Sequence, residues 1–268
     1  MNLKVARLKK KYYNIQFLVA IFFLLNVSYL NAQNTSVARD SLTWTYDITA
    51  SGFISDDGNQ RVLFNNLGVF TVGNNAWSDR VVMNYQVGKV RREIKENDFF
   101  TYNIFRLNPT DKYFPLAIVG LELSNTRAID FRWFAGIGGG IHLIDKENFK
   151  LEFTTTIIYQ RTNYDLTFDD HINGITDDTE SAWRITPRLF GLVQLSKGPR
   201  FEYECWIQPS LEKLDDYNAY GNFALLVPVI EKLFVRLGWI MTYESIVAPS
   251  SPTFDSIINI GFTFKNDK

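Results

Sequence analysis

A two-residue rhythm of apolar and polar side chains restricts the fold of this chain more than any other feature. It is clearest near the C-terminus. There Phe254, Ile258, Ile260, Phe262 and Phe264 take one side of an extended segment, and Asp255, Asn259, Gly261 and Thr263 take the other. Successive side chains of a strand point to opposite faces, so the segment has one oily face and one mostly polar face. A helix would scatter those aromatics around its circumference. The pattern returns upstream. Phe149, Leu151, Phe153, Ile157 and Tyr159 alternate with Lys150, Glu152, Thr154, Thr156 and Gln160. Leu233, Val235, Leu237, Trp239, Met241 and Tyr243 oppose Arg236, Gly238, Thr242 and Glu244. Phe201, Tyr203, Cys205 and Ile207 oppose Glu202, Glu204 and Gln208, while Val81, Met83, Tyr85 and Val87 oppose Arg80, Asn84 and Gln86. The run from Arg61 to Thr71 fits either orientation.

About twelve such segments are expected, over residues 42–54, 60–72, 77–90, 98–108, 113–125, 129–143, 149–163, 181–195, 200–211, 217–229, 233–245 and 254–265. Each reaches the ~9–11 residues of a tilted transmembrane strand, whereas strands of soluble proteins have a mode nearer ~5–6. Only helices and closed barrels satisfy every backbone group in lipid, and no apolar run of the mature chain reaches helical spanning length. The expected fold is all-β: a single antiparallel transmembrane β-barrel of about 12 strands. Its rival is an exported soluble β-sandwich whose aromatics fill a core.

The first segment carries an address. Lys4, Arg7, Lys9, Lys10 and Lys11 precede an apolar stretch from Phe17 to Leu30, and the small Ala32 follows. That order matches a secretory signal peptide. The stretch, about 14 residues, falls short of the ~20 of a spanning helix. Residues 1–32 are therefore expected to be a cleaved signal peptide and residues 33–268 the barrel. No cysteine lies near the cleavage region, which disfavours a lipid anchor. Cys205 is the single cysteine, so an intramolecular disulfide is impossible.

The connections fall into two sets. Short ones include Gly73-Asn74-Asn75, Asn108 to Asp111, Asp145 to Asn148, Lys197-Gly198-Pro199 and Glu231-Lys232; the alternate set is generally longer and includes Asp165 to Glu180 and Ser245 to Thr253. Bacterial barrels have short periplasmic turns and longer external loops. Aromatics recur near the strand ends, at Trp44, Trp77, Tyr113, Trp183, Tyr217, Tyr243 and Phe264, where they would sit at the two membrane–water boundaries. Together these features imply a cell outer-membrane location in a Gram-negative envelope. The partners expected there are outer-membrane lipids and, during biogenesis, the barrel assembly machinery. A net charge of −1 does not mark a nucleic-acid binder.

Several stretches carry a family resemblance: Glu96-Asn97-Asp98-Phe99-Phe100, Leu107-Asn108-Pro109, Ile129-Asp130-Phe131-Arg132 with Gly136, Trp183-Arg184, and the run Tyr203 to Ser210. With these the chain resembles the salt-stress-induced outer-membrane protein family, also called domain-of-unknown-function family 481. The resemblance spans most of the mature chain. It implies an outer-membrane barrel with no established activity, and it carries over no functional residue.

Candidate chemistry is sparse. A hydrolase needs a nucleophile, a base and an orienting group within hydrogen-bonding reach, and the histidines are His142 and His171. His142 shares a strand face with Arg132 but has no serine on that strand. The acidic segment Asp165 to Glu180, which holds His171, does not match a calcium loop and suits a hydrated external loop. Gly136, Gly138, Gly139 and Gly140 lie in a strand pattern with no helix after them, so close packing or strand bending is expected rather than a phosphate loop. Cys205 is expected to face lipid. No catalytic residue, metal or cofactor is assigned.

The inward charges are more informative. Arg80, Arg132, His142, Arg184, Arg188, Glu202, Glu204, Arg236 and Glu244 are expected to form a lumen network, because an Arg or Lys facing lipid at mid-membrane costs ~2–4 kcal/mol. Such a network either plugs the lumen or lines a narrow passage for small solutes. Twelve strands fall between filled eight-stranded barrels and open porins. The functional expectation is a small passive pore or a structural protein of the envelope. The alternatives are a lipid hydrolase and a protein that binds through its external loops.

Overall fold

The computed structural model describes residues 41–55, 61–90, 93–165, 178–195, 198–248 and 251–266. The expected signal peptide lies outside the described residues, as do His171 and the rest of the acidic segment from 166 to 177. Twelve strands follow one another: β1 (Thr43–Ser55), β2 (Arg61–Gly73), β3 (Trp77–Val90), β4 (Glu93–Leu107), β5 (Tyr113–Ser124), β6 (Ile129–Lys146), β7 (Phe149–Tyr164), β8 (Thr179–Gln194), β9 (Arg200–Pro209), β10 (Tyr217–Ile230), β11 (Leu233–Glu244) and β12 (Phe254–Asn266). Each pairs antiparallel with its chain neighbour, and β12 returns to pair with β1 from Asn266 opposite Tyr46 to Ile260 opposite Gly52. Closure removes the exposed edges that an open sheet would leave. The fold is the expected closed barrel and not the rival sandwich.

The period of two sets which side faces out. In β12, Ile258, Ile260 and Phe262 stand more than half exposed on the outer wall, while Asn259, Gly261 and Thr263 are buried inside. Ile48, Phe64 and Ile137 continue the oily belt around the barrel. Two aromatic girdles bound it. At the end carrying the N-terminal strand's start, Trp44 stacks on Tyr46 and Tyr46 on Phe264, with Trp77 against Phe105 further round. At the opposite end, Trp133, Tyr159 and Trp183 form a continuous row, and Tyr217 stacks on Tyr243. We call these the terminal end and the loop end.

Strands β4 and β6 reach beyond expectation, β6 continuing to Lys146 rather than ending at 143, and β2 takes one of the two orientations left open. Strand β4 begins at Glu93 rather than near 98. Its first residues lack apolar alternation, yet they extend the ladder because Glu96 turns inward and accepts from Gln86 on β3. In β2, the run that fitted either orientation buries Leu63 and Asn65 and exposes Phe64 and Asn66. Its inner face is partly apolar because Leu67 and Val69 pack against a cluster inside the barrel. That cluster is Val82, Tyr102, Ile104, Phe114, Leu116, Ile118, Phe134 and Ile158, from β3 to β7. One arc of the lumen is thus oily, and the charges concentrate on the other arc and at the two ends.

Candidate functional site

All twelve strands contribute to the wall of the lumen, which makes its side chains the candidate site. Among the described residues, three contacts cross the lumen between strands five apart in the ring of twelve, close to opposite walls. The Tyr102 hydroxyl on β4 lies 2.9 and 3.1 Å from the two Glu204 carboxylate oxygens on β9. The Arg132 guanidinium on β6 donates two bonds of 2.9 Å, one to each Glu244 oxygen on β11. The Arg80 guanidinium on β3 sits 4.9 Å from the centre of the Phe190 ring on β8.

At the loop end, Arg132 also donates to Glu122 at 2.9 Å, and Arg127 reaches Glu122 at 2.8 Å and Glu244 at 3.3 Å. Two guanidiniums and two carboxylates interlock there. Arg132 and Glu244 are each 5 % exposed. Beside them Arg184, 1 % exposed, holds both oxygens of Asp216 at 3.0 and 2.8 Å and lies 3.5 Å from Glu180. Arg184 thereby ties the β9–β10 connection to the barrel wall.

At the waist, Arg188 lies 3.4 Å from Glu204, and its guanidinium sits 4.9 Å from the centre of the Tyr102 ring. At the terminal end, both terminal nitrogens of Arg106 grip Glu152, at 3.0 and 2.8 Å. Lys265 bridges Glu202 at 2.5 Å and Asp47 at 3.1 Å. Arg236 donates to Asn222 at 3.0 Å. His142 places Nε2 2.8 Å from the Pro109 carbonyl and Nδ1 3.7 Å from Glu152, with its ring against Phe114. Both ring nitrogens thus face groups other than a nucleophile.

The nine residues expected in one lumen network therefore divide among three levels. Arg132, Glu244 and Arg184 gather at the loop end, Arg80, Arg188 and Glu204 at the waist, and Glu202 and His142 lower down; Arg236 is rooted below the waist, opposite Leu226, and its guanidinium reaches up to Asn222 beside Glu204. Sequence reasoning did not single out Glu122, Arg127, Asp216, Arg106, Lys265 or Tyr102 for this role. Lys265 shares the parity of Asn259, Gly261 and Thr263 on the polar face of its segment, a signal present in the sequence, whereas Glu122 lies on a strand whose inner face carries Phe114, Leu116 and Ile118. Tyr102 carries no such signal, because its strand turns an oily face inward.

Between the loop-end cluster and the waist lies a vestibule of about 110 Å³. Its walls include Asn84, Gln160, Gln208 and Thr242, and Arg188, Trp206 and Tyr220 reach it from the waist. Cys205, on the strand face opposite Glu204, belongs to the outer wall. The glycines of β6 admit neighbours: a side chain at Gly140 would meet the Phe114 ring, as one at Gly120 on β5 would meet the Phe134 ring.

A family model described as "Protein of unknown function, DUF481" matches residues 34–265. No curated protein matches the chain. Among solved structures, a NanC porin is similar at TM-score 0.50 and 10 % identity, over 82 % of this chain and 100 % of the porin. The COG4313 outer membrane channel from Pseudomonas putida F1 is similar at TM-score 0.42 and 9 % identity, over 88 % of this chain and 98 % of the channel. The likeness to the NanC porin is one of fold.

Proposed function

The chain belongs to the DUF481 family, and from that premise we propose that it is an outer-membrane barrel, closed at its waist, whose role in the envelope is structural. The oily belt between two aromatic girdles supports the location, since such a surface matches a bilayer's hydrocarbon layer and its two boundaries. In this reading the short turns face the periplasm and the longer connections face outward. The partners are the lipids against the belt and the assembly machinery that inserts the barrel. No nucleic acid and no catalytic step take part.

One observation carries closure: Tyr102 and Glu204 meet across the lumen, with Arg188 packed on the same ring. A permanent pore needs a continuous water column, and this bridge stands across it. The bridge is charge-assisted, and such hydrogen bonds are roughly twice as strong as neutral ones. The test is reconstitution into planar bilayers. The wild type is expected to give no conductance steps, while Tyr102→Ala, which removes the bridge, is expected to give them. Repeated stepwise conductance from the wild type would overturn closure.

A second reading, a small passive pore, is favoured by the vestibule. It requires wild-type steps that change in ion preference on reversing the charge at Arg188 or Glu204. A lipid hydrolase would instead lose its activity on His142→Ala, and a loop-mediated binder would lose its ligand on deletion of residues 166–178.

A further inference from the structure

We propose that the waist of the lumen is an oxyanion site, in which Arg80, Arg188 and Arg236 around the single carboxylate Glu204 take a small carboxylate or phosphate group. The three guanidiniums converge for reasons visible in the strand registers. Arg80 lies opposite Ile104 on β4, which makes it the diagonal neighbour of Tyr102 on the inner face. Its guanidinium rests on Phe190, two residues along the same face of β8 from Arg188. Arg188 in turn rests on Tyr102, and Arg236 bonds Asn222, the cross-strand partner of Glu204.

These guanidiniums are poorly matched by acceptors. Among the described residues, Arg80 has no ion pair or hydrogen bond, Arg188 has only the 3.4 Å approach to Glu204, and Arg236 has only the Asn222 amide. Both Glu204 oxygens already lie within hydrogen-bonding distance of Tyr102. The other carboxylates nearby are engaged: Glu152 by Arg106, and Glu202 and Asp47 by Lys265. Between the waist and the terminal end, the described lumen-facing cations are Arg80, Arg106, Arg188, Arg200, Arg236 and Lys265. The carboxylates are Asp47, Glu152, Glu202 and Glu204. Among these cations, Arg80 and Arg236 are the two with no carboxylate within ion-pair distance among the described residues.

Buried charges are retained when they are paired. A guanidinium's planar fork matches a carboxylate or phosphate with two parallel hydrogen bonds. Arg188 lines the vestibule beside Trp206 and Tyr220, whose rings stack 5.3 Å apart at 17°. That aromatic wall suits the apolar part of an organic acid. An anion arriving from the loop end passes Glu122 and Glu244 after Arg127 and Arg132 have neutralised them.

The experiment is calorimetric titration of the full-length barrel in detergent with sodium acetate and, separately, inorganic phosphate, at constant ionic strength in chloride. Saturable binding of at least one is expected. Arg188→Gln and Arg80→Gln should each weaken it tenfold or more. Glu204→Gln, which removes the competing carboxylate, should strengthen it several-fold, a gain that a merely structural arginine cluster would not give. Binding of acetate alone assigns a carboxylate ligand, binding of phosphate alone a phosphate, and both together a general oxyanion site. Binding of neither overturns the proposal, as does an unchanged affinity in Arg188→Gln or a weaker one in Glu204→Gln. Should the arginine variants fail to show the heat-resistant migration of a folded barrel, the direction of the Glu204→Gln change decides alone. Binding is read in detergent and conductance in a bilayer, so the oxyanion site and the closed waist fail separately.

Discussion

Glu212 does at residue scale what a strand does elsewhere. The β8–β9 ladder is continuous from Gln194 to Arg188 and is reduced to a single bridge at Arg184 and Ser210. Beyond it, the Trp183 carbonyl accepts from the Leu211 amide, and the Trp183 N–H donates to the Glu212 carboxylate at 3.1 and 3.2 Å. Ser210 donates to the same carboxylate at 3.0 Å. These donors, the Trp183 amide first, hold the Glu212 carboxyl below its ordinary value of 4.5. A folded-state pKa lowered in this way contributes stability that is present above the unfolded value and lost as pH falls through the folded one. Protection of the Trp183 amide against hydrogen exchange is therefore expected to hold at neutral pH and to fall as pH drops below 4.5. In Glu212→Ala it should be low throughout; equal protection in the two proteins at pH 7 would refute this role. Nothing in the sequence singles Glu212 out, since it stands among other charged residues of a short connection.

Strand β6 shows how far an element is legible before its structure is known. Its start and its inward Arg132 follow from alternation alone, because lipid outside and an enclosed interior force every second residue to one side, although the strand runs to Lys146, past the expected end at 143. The glycines at 136, 138, 139 and 140 mark close packing without saying which of them matters. The register answers that. A side chain at Gly138 would run into the Thr155 carbonyl on β7 and one at Gly136 into that of Ile157, whereas one at Gly139 meets nothing closer than the Phe114 carbonyl at 3.4 Å. Gly138→Ala should therefore destabilise the barrel by about 1–3 kcal/mol through overpacking, and Gly139→Ala by no more than about 0.5 kcal/mol. Urea unfolding of the folded barrel in lipid vesicles measures both, and equal losses would mean that β6 does not press on β7 as described. The same limit explains β2 and the start of β4. There the inner face is oily, or the outer face holds Asn66 and Asn97, so the period of two loses its contrast although the strand persists.

For the whole molecule, the decisive distances run across the lumen, and these lay beyond a reading of strands one at a time. Alternation puts Arg132 and Glu244 inside, but whether they meet depends on barrel radius and stagger, which only closure with twelve strands fixes. Because Arg127 and Glu122 complete the cluster, its charge balance makes a specific demand. Glu244→Gln leaves two guanidiniums with one carboxylate, and Arg132→Met leaves one guanidinium with two. Either single change strands a buried charge and should cost about 3–5 kcal/mol. The double variant restores a one-to-one match between Arg127 and Glu122. Its loss should fall short of the sum of the singles by about 1–3 kcal/mol, the coupling expected of residues in one network. Unfolding of the four proteins in vesicles closes this cycle. Strict additivity would mean that opposite walls of the barrel are not energetically joined at the loop end, and a closed interior would then have to depend on the waist alone.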